Sequence, residues 1–414
     1  MRVNNEQSVA LETASTAFVL GLFDTGLSIV RSLARAGIEV VGFGPDPREI
    51  GFKSRFCRAI GSPHPVEEPR RFLELLLTEA EKRRTPPILF PSGDPTFWFT
   101  SRYREELAER FLFIVPPPPA AEAGLNKRVQ YEMASRAGIA CPDTYYPASR
   151  DELADIVGEI ECPAMVKPYF SHLWQMRIPG SKGRVAGTPE EILASFDEAE
   201  RAGLQVMIQS LIPGPNTAIV VLSAYIGRNG KPLALFTHRK VRQWDPTIGS
   251  ATLVRSERIP GLVETGLSLL EAIGYRGQCA VEFKQDARDG TLKLIEINPR
   301  FVQQNYLATR CGVNFPLIQY MDLTGQEPQP RTSFDEGVKW LDAIPDAMAF
   351  FYHHQRGELT FPAWLMSLRG SRAFPKFAWD DPLPFVYAYT WKGKLLKGPL
   401  WLWSHRRHPD SGVA

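Results

Sequence analysis

Residues 279–300, CAVEFKQDARDGTLKLIEINPR, decide the fold prediction for this chain of 414 residues. Two runs of alternating apolar and polar residues flank the turn-rich DARDG, and this pattern predicts a β-hairpin. Because side chains alternate between the two faces of a strand, Glu296 and Asn298 share one face. A turn centred near Asp289 places Glu282 roughly opposite Glu296, where facing side chains lie about 5 Å apart. The hairpin therefore brings two carboxylates and an amide to one patch.

Two facing carboxylates repel each other unless a cation lies between them. The predicted patch offers oxygen ligands without sulfur or histidine, and such ligands suit Mg²⁺ or Mn²⁺. Arg300 follows the second strand and supplies a forked donor for a phosphate or a carboxylate. An exposed hairpin face with solvated acids explains the spacing about equally well. Residues elsewhere in the chain must decide between the two interpretations.

Composition excludes several classes of protein. The net charge is +2 and 23% of the residues are charged, so no overall electrostatic field favours binding to nucleic acid. The five cysteines are scattered without a CxxC pair, which predicts reduced thiols in a cytoplasmic protein and no zinc site. No apolar run approaches the roughly 18 residues of a membrane helix. We expect a soluble protein.

The first 118 residues alternate predicted strands and helices, a pattern typical of βαβ units around a parallel sheet. The expected strands are TAFVLGLF, IEVVGFG, PPILFP and FLFIV, with helices near residues 27–36, 69–82 and 97–109. The turn GLFDTG lacks the GxGxxG and GK[ST] spacings, so we interpret it as a tight turn. The proline run 116–119 is expected in extended polyproline geometry and marks a domain boundary after residue 118.

The pattern of residues 119–325 predicts a second domain with a mainly antiparallel sheet and a small lobe at about 145–210. Asn229-Gly230 between two apolar runs is a strong hairpin signal. From residue 326 to 414 the composition changes to Trp, Phe and Pro, which predicts a helical or irregular extension. The complete chain is thus expected to combine α/β and α+β architecture in three parts.

The C-terminal sequence LLKGPLWLWSHRRH places Trp401 and Trp403 beside Arg406 and Arg407. Such pairing is typical of interfacial anchors, which makes the tail a candidate for peripheral membrane contact. Packing of the tail on the protein itself is favoured, because about 15 residues provide little anchoring area.

Two lysines and one loop are candidates to accompany the hairpin. Lys127 opens a helix, and Lys167 ends the apolar strand AMVKP, where an ammonium group is partly desolvated unless an anion joins it. The loop PGSKGR offers backbone N–H groups and the cation Lys182, as a phosphate cover does. Each feature alone is also explained by a solvated surface charge or a plain loop.

The order of these features resembles the ATP-grasp superfamily, in the carboxylate–amine ligase branch that includes D-aspartate ligase and the carbamoyl phosphate synthase large chain. The resemblance runs from about residue 127 to 325. Its most specific motif is Glu282 followed by Glu296-Ile297-Asn298-Pro299-Arg300 on adjacent strands. The preceding α/β region is similar to the domain that usually precedes an ATP-grasp fold.

The resemblance implies ATP and Mg²⁺ (or Mn²⁺) as cofactors. It implies that Glu282, Glu296 and Asn298 hold the metal, and that Arg300 lies near the transferred phosphoryl group or a substrate carboxylate. The residues implied to bind ATP are Lys127, Lys167, Ser181, Lys182, Gly183, Gln209, Leu211, Ile212 and Asn216. In the segment HRKVRQWDPTIGSATLV, Lys240 and Arg242 become candidates for holding an anionic substrate.

The resemblance implies a ligase that converts a carboxylate to an acyl phosphate and joins it to an amine. The expected substrates are small molecules such as amino acids or peptide-like compounds. Catalysis then consists of charge neutralisation and positioning, since phosphoryl transfer needs no protein nucleophile. A catalytically inactive ATP-binding regulatory protein is the alternative. A dinucleotide-dependent oxidoreductase is disfavoured by the missing GxGxxG. The acid, the amine and the oligomeric state stay open.

Overall fold

The computed structural model describes residues 15–178, 182–246 and 248–390. The strands are β1 Ala17–Leu20, β2 Val40–Gly44, β3 Arg58–Gly61, β4 Ile88–Pro91, β5 Thr144–Tyr145, β6 Ala164–Pro168, β7 Arg184–Ala186, β8 Val206–Ser210, β9 Ile219–Ile226, β10 Pro232–Trp244, β11 Ser250–Ser256, β12 Gly277–Gln285, β13 Leu292–Asn298, β14 Lys339–Leu341 and β15 Arg372–Ala373.

The helices are α1 Asp24–Ala34, α2 Pro69–Glu81, α3 Asp94–Arg102, α4 Arg104–Ala108, α5 Pro118–Leu125, α6 Lys127–Arg136, α7 Arg150–Ile156, α8 Ser171–Arg177, α9 Pro189–Arg201, α10 Leu262–Ala272, α11 Asn305–Arg310, α12 Phe315–Leu323, α13 Ala343–Gln355, α14 Phe361–Ser367 and α15 Leu383–Thr390. The predicted mixture of a parallel α/β unit with antiparallel sheets is confirmed.

The N-terminal sheet has the order β3-β2-β1-β4, and all its strand pairs are parallel. The expected strand FLFIV is wrong: only Leu112 forms a single parallel bridge, to Ile88. The prolines at 116 and 117 lack the N–H that a ladder requires, so the pairing cannot continue. The sequence also gave no sign of β3, because this edge strand buries none of its residues and carries no apolar alternation.

Two helix predictions in this region need correction. The helix expected near residues 97–109 is divided at Tyr103, whose ψ of 30° leaves the helical range between α3 and α4. The proline run does not stay extended, since Pro118 opens α5. A proline at the first helical position loses no hydrogen bond, and its fixed φ suits a helix start.

The central sheet has the order β13-β12-β9-β10-β11-β14-β15. The predicted turn at Asn229-Gly230 joins β9 and β10, which pair antiparallel, and Gly230 has a φ of +83° that favours glycine. Strands β14 and β15 come from the region beyond residue 326, so the C-terminal region extends this sheet. The order places the hairpin of β12 and β13 at the opposite edge.

A third sheet, of order β5-β8-β6-β7, forms the small lobe between residues 144 and 210. Its core is closed by α7 and α9, with the side chains of Trp174 and Ile192 fully buried. Lys167 at the end of β6 donates to the backbone oxygen of Ile295 in β13, so this end of the lobe lies against the hairpin.

The C-terminal region packs back on the N-terminal sheet through buried charges. Arg31 of α1 donates to the carboxylate of Asp381 at 2.9 Å and to the backbone oxygens of Pro375 and Lys376. Both Arg31 and Asp381 are 1% exposed. The predicted anchor with Trp401 and Trp403 lies outside the described residues. Among the described residues, no helix combines the length and apolar character needed to cross a membrane.

Candidate functional site

The two carboxylates of the hairpin face each other. Glu282 of β12 is the direct cross-strand partner of Glu296 of β13, and Asn298 lies opposite Ala280. The side chains of Glu282 and Glu296 are 22% and 30% exposed, so both are half-buried. The register that the sequence predicted is therefore present, with a bulge directly after Glu282.

Each of these acids is paired with a different lysine. Lys127, the first residue of α6, donates to Oε1 of Glu296. Lys240 of β10 donates to Oε1 of Glu282 at 3.1 Å and to the amide oxygen of Gln243 at 3.2 Å. Both lysines are buried, with side-chain exposures of 7% and 9%. The cations that the facing acids require are supplied in this structure by protein side chains.

A third lysine lies beside this pair without a carboxylate in contact. The Nζ of Lys167, at the end of β6, donates to Tyr131 Oη at 3.0 Å and to the backbone oxygen of Ile295 at 3.2 Å. Gln209 Oε1 lies 3.4 Å away. These three neutral acceptors match the three N–H groups of the ammonium, and no carboxylate neutralises its charge by direct contact.

The pKa values in the cluster follow from burial and neighbouring charge. Burial would raise the pKa of Glu296, but the charges of Lys127 and Lys167 outweigh it and lower the pKa to about 2. Burial lowers the pKa of Lys167, while Glu296 and Glu282 oppose that effect. Glu296 is therefore ionised at neutral pH, as a ligand for a cation must be.

Arg300 follows the hairpin and joins it to the N-terminal sheet. Its Nε donates to Oδ1 of Asp94, the first residue of α3. Burial lowers the pKa of Arg300, but the charge of Asp94 outweighs it and raises the pKa. Burial lowers the pKa of His172 in α8, and the charge of Asp94 opposes that effect. Arg300 thus sits where the N-terminal unit, the small lobe and the hairpin meet.

The loop before β7 is only partly described. Lys182 donates to Ser250 Oγ at 3.2 Å and lies in the electrostatic field of Glu296, Glu282 and Arg300. A side chain at Gly183 would place its Cβ 2.7 Å from the backbone oxygen of Val166, so glycine permits the close approach to β6. Ser181 lies outside the described residues, and its role stays a prediction.

Arg242 points away from this cluster. Its guanidinium forms a two-point contact with Asp346 of α13, at 2.8 and 3.1 Å, and donates to Ser367 Oγ at 2.9 Å. Asp346 is also the acceptor of Thr252 and Trp364. The predicted substrate contact of Arg242 is therefore not assembled in this structure, because a helix of the C-terminal region supplies its counter-ion.

The expected adenine contacts lie on and after β8. Gln209 uses both of its polar atoms: Oε1 accepts from Tyr131, and Nε2 donates to Thr144 at 2.9 Å. Asn216 donates to the backbone oxygen of Pro246 at 2.9 Å. Leu211 and Ile212 follow β8 outside any regular element. Of these residues, Gln209 contacts the cluster, and the side chains of Gln209 and Asn216 are both engaged by the protein itself.

Three side chains of the cluster were not predicted from the sequence. Tyr131 supports Lys167, Gln243 supports Lys240, and Gln130 accepts the backbone N–H of Ile297 at 2.8 Å. Gln130 and Tyr131 lie three and four residues after Lys127 on α6, so helical spacing places them on its face. That spacing was the available signal; nothing comparable marked Gln243.

The comparisons with known proteins begin with one family model. The ATP-binding domain of the carbamoyl-phosphate synthase L chain matches residues 246–321. This stretch contains Glu282, Glu296, Asn298 and Arg300, which are the residues of the hairpin and the turn after it.

Two curated relatives extend the likeness over most of the chain. D-aspartate ligase of Enterococcus faecium is 25% identical over 295 residues, which are 65% of this chain and 68% of that protein. The carbamoyl phosphate synthase large chain of Methanoculleus marisnigri is 22% identical over 311 residues, or 71% of this chain. The match spans only 27% of that longer protein.

Among solved structures, N5-carboxyaminoimidazole synthetase of Staphylococcus aureus complexed with ADP superposes with a TM-score of 0.59. The match covers 79% of this chain and 81% of that chain at 15% sequence identity. At 15% sequence identity, this similarity shows a shared fold and nothing about activity. Fold and site together define the class: the chain resembles ATP-grasp carboxylate–amine ligases, and its relatives support an ATP-dependent enzyme of that kind.

Proposed function

We propose that this protein uses ATP and Mg²⁺ to activate a carboxylate as an acyl phosphate and joins it to an amine. The observation that carries the proposal is the facing pair Glu282 and Glu296, each of which accepts a hydrogen bond from a buried lysine. A half-buried pair of like charges is costly to maintain. Its presence among cations indicates a binding site rather than a solvated hairpin face.

The charge balance of the site favours a polyanionic ligand. Five cations converge on the hairpin, against the carboxylates Glu282, Glu296 and Asp94; the cations are Lys127, Lys167, Lys182, Lys240 and Arg300. The excess of positive charge matches the triphosphate of ATP. Lys167 is the most direct candidate for a phosphate contact, because its bound partners are neutral.

The donor set fits a hard divalent cation. Glu282, Glu296 and Asn298 share one face of the hairpin and offer two carboxylates and an amide oxygen. No cluster of three or more acidic, histidine or cysteine side chains suited to a metal occurs in the described part of the chain, so Asn298 would be the third ligand. When bound, Mg²⁺ would neutralise phosphate charge.

The remaining residues would position the reacting groups. Arg300 and Lys240 would hold the acceptor carboxylate beside the γ-phosphate, and their positive charge stabilises the charge that develops during transfer. A carboxylate oxygen then takes the phosphoryl group while ADP leaves, and the amine attacks the acyl carbon and expels phosphate. The small lobe would exclude water, which would otherwise hydrolyse the acyl phosphate.

The adenine would lie along the segment after β8. The backbone groups of Leu211 and Ile212 are the proposed contacts, because they belong to no strand or helix. Gln209 would keep its bond to Thr144 and act on the nucleotide only through Lys167 and Tyr131. An amino acid or a small peptide-like compound is the proposed class of substrate, consistent with the amino-acid substrate that the name of D-aspartate ligase indicates.

The test is ADP release by purified protein with ATP, Mg²⁺, and a panel of amino acids offered as carboxylate and amine in pairs. We expect release that requires both partners, and mass spectrometry should find the joined product. Glu264→Gln, on the exposed face of α10, is the matched control for Glu296→Gln. ATP binding without turnover for any pair would favour the inactive regulatory alternative, and absence of nucleotide binding would refute the proposal.

A further inference from the structure

Lys284 of β12 is a partly buried lysine without a role in the nucleotide site described so far. It lies two residues after Glu282 on the same strand, and the pairing of β12 with β9 runs without a shift from Gly277 to Lys284. Because side chains alternate along an unbroken strand, Lys284 lies on the same face as Glu282. Val281 and Phe283 lie on the other face, where both are buried in the core. Lys284 therefore belongs to the sheet face that carries the facing acids.

Two other lysines flank Lys284 on this face, and each of them has a carboxylate. Lys293 of β13 is the direct cross-strand partner of Lys284 and contacts Asp286 at 3.0 Å. Lys240 of β10 reaches across β9 to Glu282 at 3.1 Å. Like charges on neighbouring strands repel each other. Lys284 is thus placed between two other cations.

Lys284 itself has no carboxylate partner. It makes no hydrogen bond or ion pair with another residue in the described part of the chain. Asp286, an acid whose charge acts on it, is bound by Arg288 at 2.7 Å and by Lys293 at 3.0 Å. Burial lowers the pKa of Lys284, the charge of Asp286 opposes that effect, and the charge of Lys240 adds to it. A cation in such surroundings is stabilised by an anion from outside the protein.

The end of the strand that carries Lys284 meets the segment proposed to hold adenine. Residues 211–212 immediately precede Pro213, whose backbone oxygen accepts the N–H of Ala287 at 3.2 Å. The segment after β8 is thereby fixed against the turn that follows Lys284. In the other direction, the proposed metal ligand Glu282 lies two residues away, which is about 7 Å along a strand. Lys284 therefore lies between the metal ligands and the proposed adenine segment.

We propose that Lys284 binds the α-phosphate of the nucleotide. In ATP, the α-phosphate and the ribose lie between the base and the β- and γ-phosphates that the metal would neutralise. Lys284 occupies the corresponding place on the sheet. An ammonium group has three donors and no acceptor, so it favours a charged phosphate oxygen over a ribose hydroxyl. This inference rests on the proposed nucleotide site, to which it adds a further cation.

The test is the affinity of Lys284→Met for adenosine, AMP and ADP, measured by displacement of a fluorescent ADP derivative. Methionine keeps an unbranched apolar stem and removes the charge. We expect about tenfold weaker binding of both AMP and ADP, because one charge-assisted contact is lost, and unchanged binding of adenosine. Lys284→Arg keeps the charge and should retain most of the affinity. Lys231→Met, at an exposed lysine in the turn between β9 and β10, is the control and should change no affinity.

Thermal denaturation without nucleotide separates a ligand contact from a structural one. Lys284→Met removes the repulsion from Lys240 and Lys293, so its melting temperature should equal or exceed that of the unaltered chain. A lower melting temperature together with weaker binding would show that Lys284 supports the fold, and this result would overturn the proposal.

The pattern of affinities can contradict the α-phosphate contact in three further ways. Equal affinities of Lys284→Met and the unaltered chain would remove the lysine from the site. A loss shared by adenosine would assign it to the ribose or the base, and a loss for ADP without one for AMP would assign it to the β-phosphate. If the unaltered chain bound none of the three ligands, the proposed function itself would fail. That result differs from a nucleotide-binding chain that tolerates Lys284→Met, which would refute the α-phosphate contact alone.

Discussion

Two kinds of ion pair in this molecule differ in their partners and in their exposure. Arg31–Asp381 and Arg242–Asp346 are buried, and each arginine makes several hydrogen bonds with fixed groups. At the hairpin, Lys127 and Lys240 hold Glu296 and Glu282, whose carboxylates stay 30% and 22% exposed. The first kind fixes the C-terminal region, whereas the second kind leaves one side of each acid open.

The difference has a physical consequence. When one partner of a hydrogen-bonded guanidinium–carboxylate pair is removed, the protein loses much folding stability, because the other charge is left buried. An ammonium group on a flexible stem makes a single point contact and can turn to a different anion. Buried arginine pairs should therefore determine stability, and the lysine pairs should determine ligand binding.

The largest expected effect is on the structural pair. Arg31→Met leaves Asp381 buried without its cation, and we expect the free energy of unfolding to fall by about 3–5 kcal/mol. Thermal or urea denaturation measures this loss. Arg35→Met removes the partner of the more exposed Asp380 and should cost only about 0–1 kcal/mol. Equal losses for both variants would show that burial does not distinguish the pairs.

The next effect concerns turnover. Glu296→Gln removes a proposed metal ligand, and ADP release should fall by roughly 100- to 1000-fold, as for other preorganised electrostatic contacts. The loss of folding stability should be smaller than in Arg31→Met, because Gln keeps the shape of the side chain at a position that is 30% exposed. Full activity in Glu296→Gln would remove this carboxylate from the catalytic site. A large stability loss would instead assign it to the structural kind of pair.

A smaller effect is expected for Lys167. Lys167→Ala removes a charge-assisted contact to phosphate, worth about 1.5–3 kcal/mol, so ATP affinity should fall by roughly 10- to 100-fold. Calorimetric titration with a non-hydrolysable analogue measures the change. Lys231→Ala, at an exposed lysine in the turn between β9 and β10, serves as the control. Unchanged affinity in Lys167→Ala would exclude this lysine from the site.

The smallest effect is a dependence of stability on pH. The pKa of Glu296 is lowered to about 2, so its ionised form stabilises the fold above the unfolded value of about 4.3. The stability difference between the unaltered chain and Glu296→Gln should be constant at higher pH and shrink as pH falls from about 4.3 toward 2. Urea denaturation over that range measures it. A difference that persists down to pH about 2 would contradict the proposed charge state.

Local sequence predicted those features that depend on local spacing. Alternation and the turn DARDG defined the hairpin and its register, which brings Glu282 opposite Glu296. Lys127 and Lys167 were identified by their positions at the start of a helix and at the end of a strand. Each of these signals lies within one element or one turn, which explains why a single sequence contains it.

Features that depend on distant packing could not be predicted. Asp346 neutralises Arg242 because α13 packs on β10, more than a hundred residues later in the chain. Asp94 reaches Arg300 because α3 meets the end of the hairpin. None of these contacts has a signature within its own segment.

The most direct test of the central claim is calorimetric titration of a non-hydrolysable ATP analogue, with and without Mg²⁺, into the unaltered chain and Glu296→Gln. If the facing acids form a metal and nucleotide site, Mg²⁺ will strengthen binding of the analogue to the unaltered chain. Mg²⁺ will not strengthen its binding to the variant. Equal affinity with and without Mg²⁺ in the unaltered chain, or an equal Mg²⁺ effect in both proteins, would contradict the account.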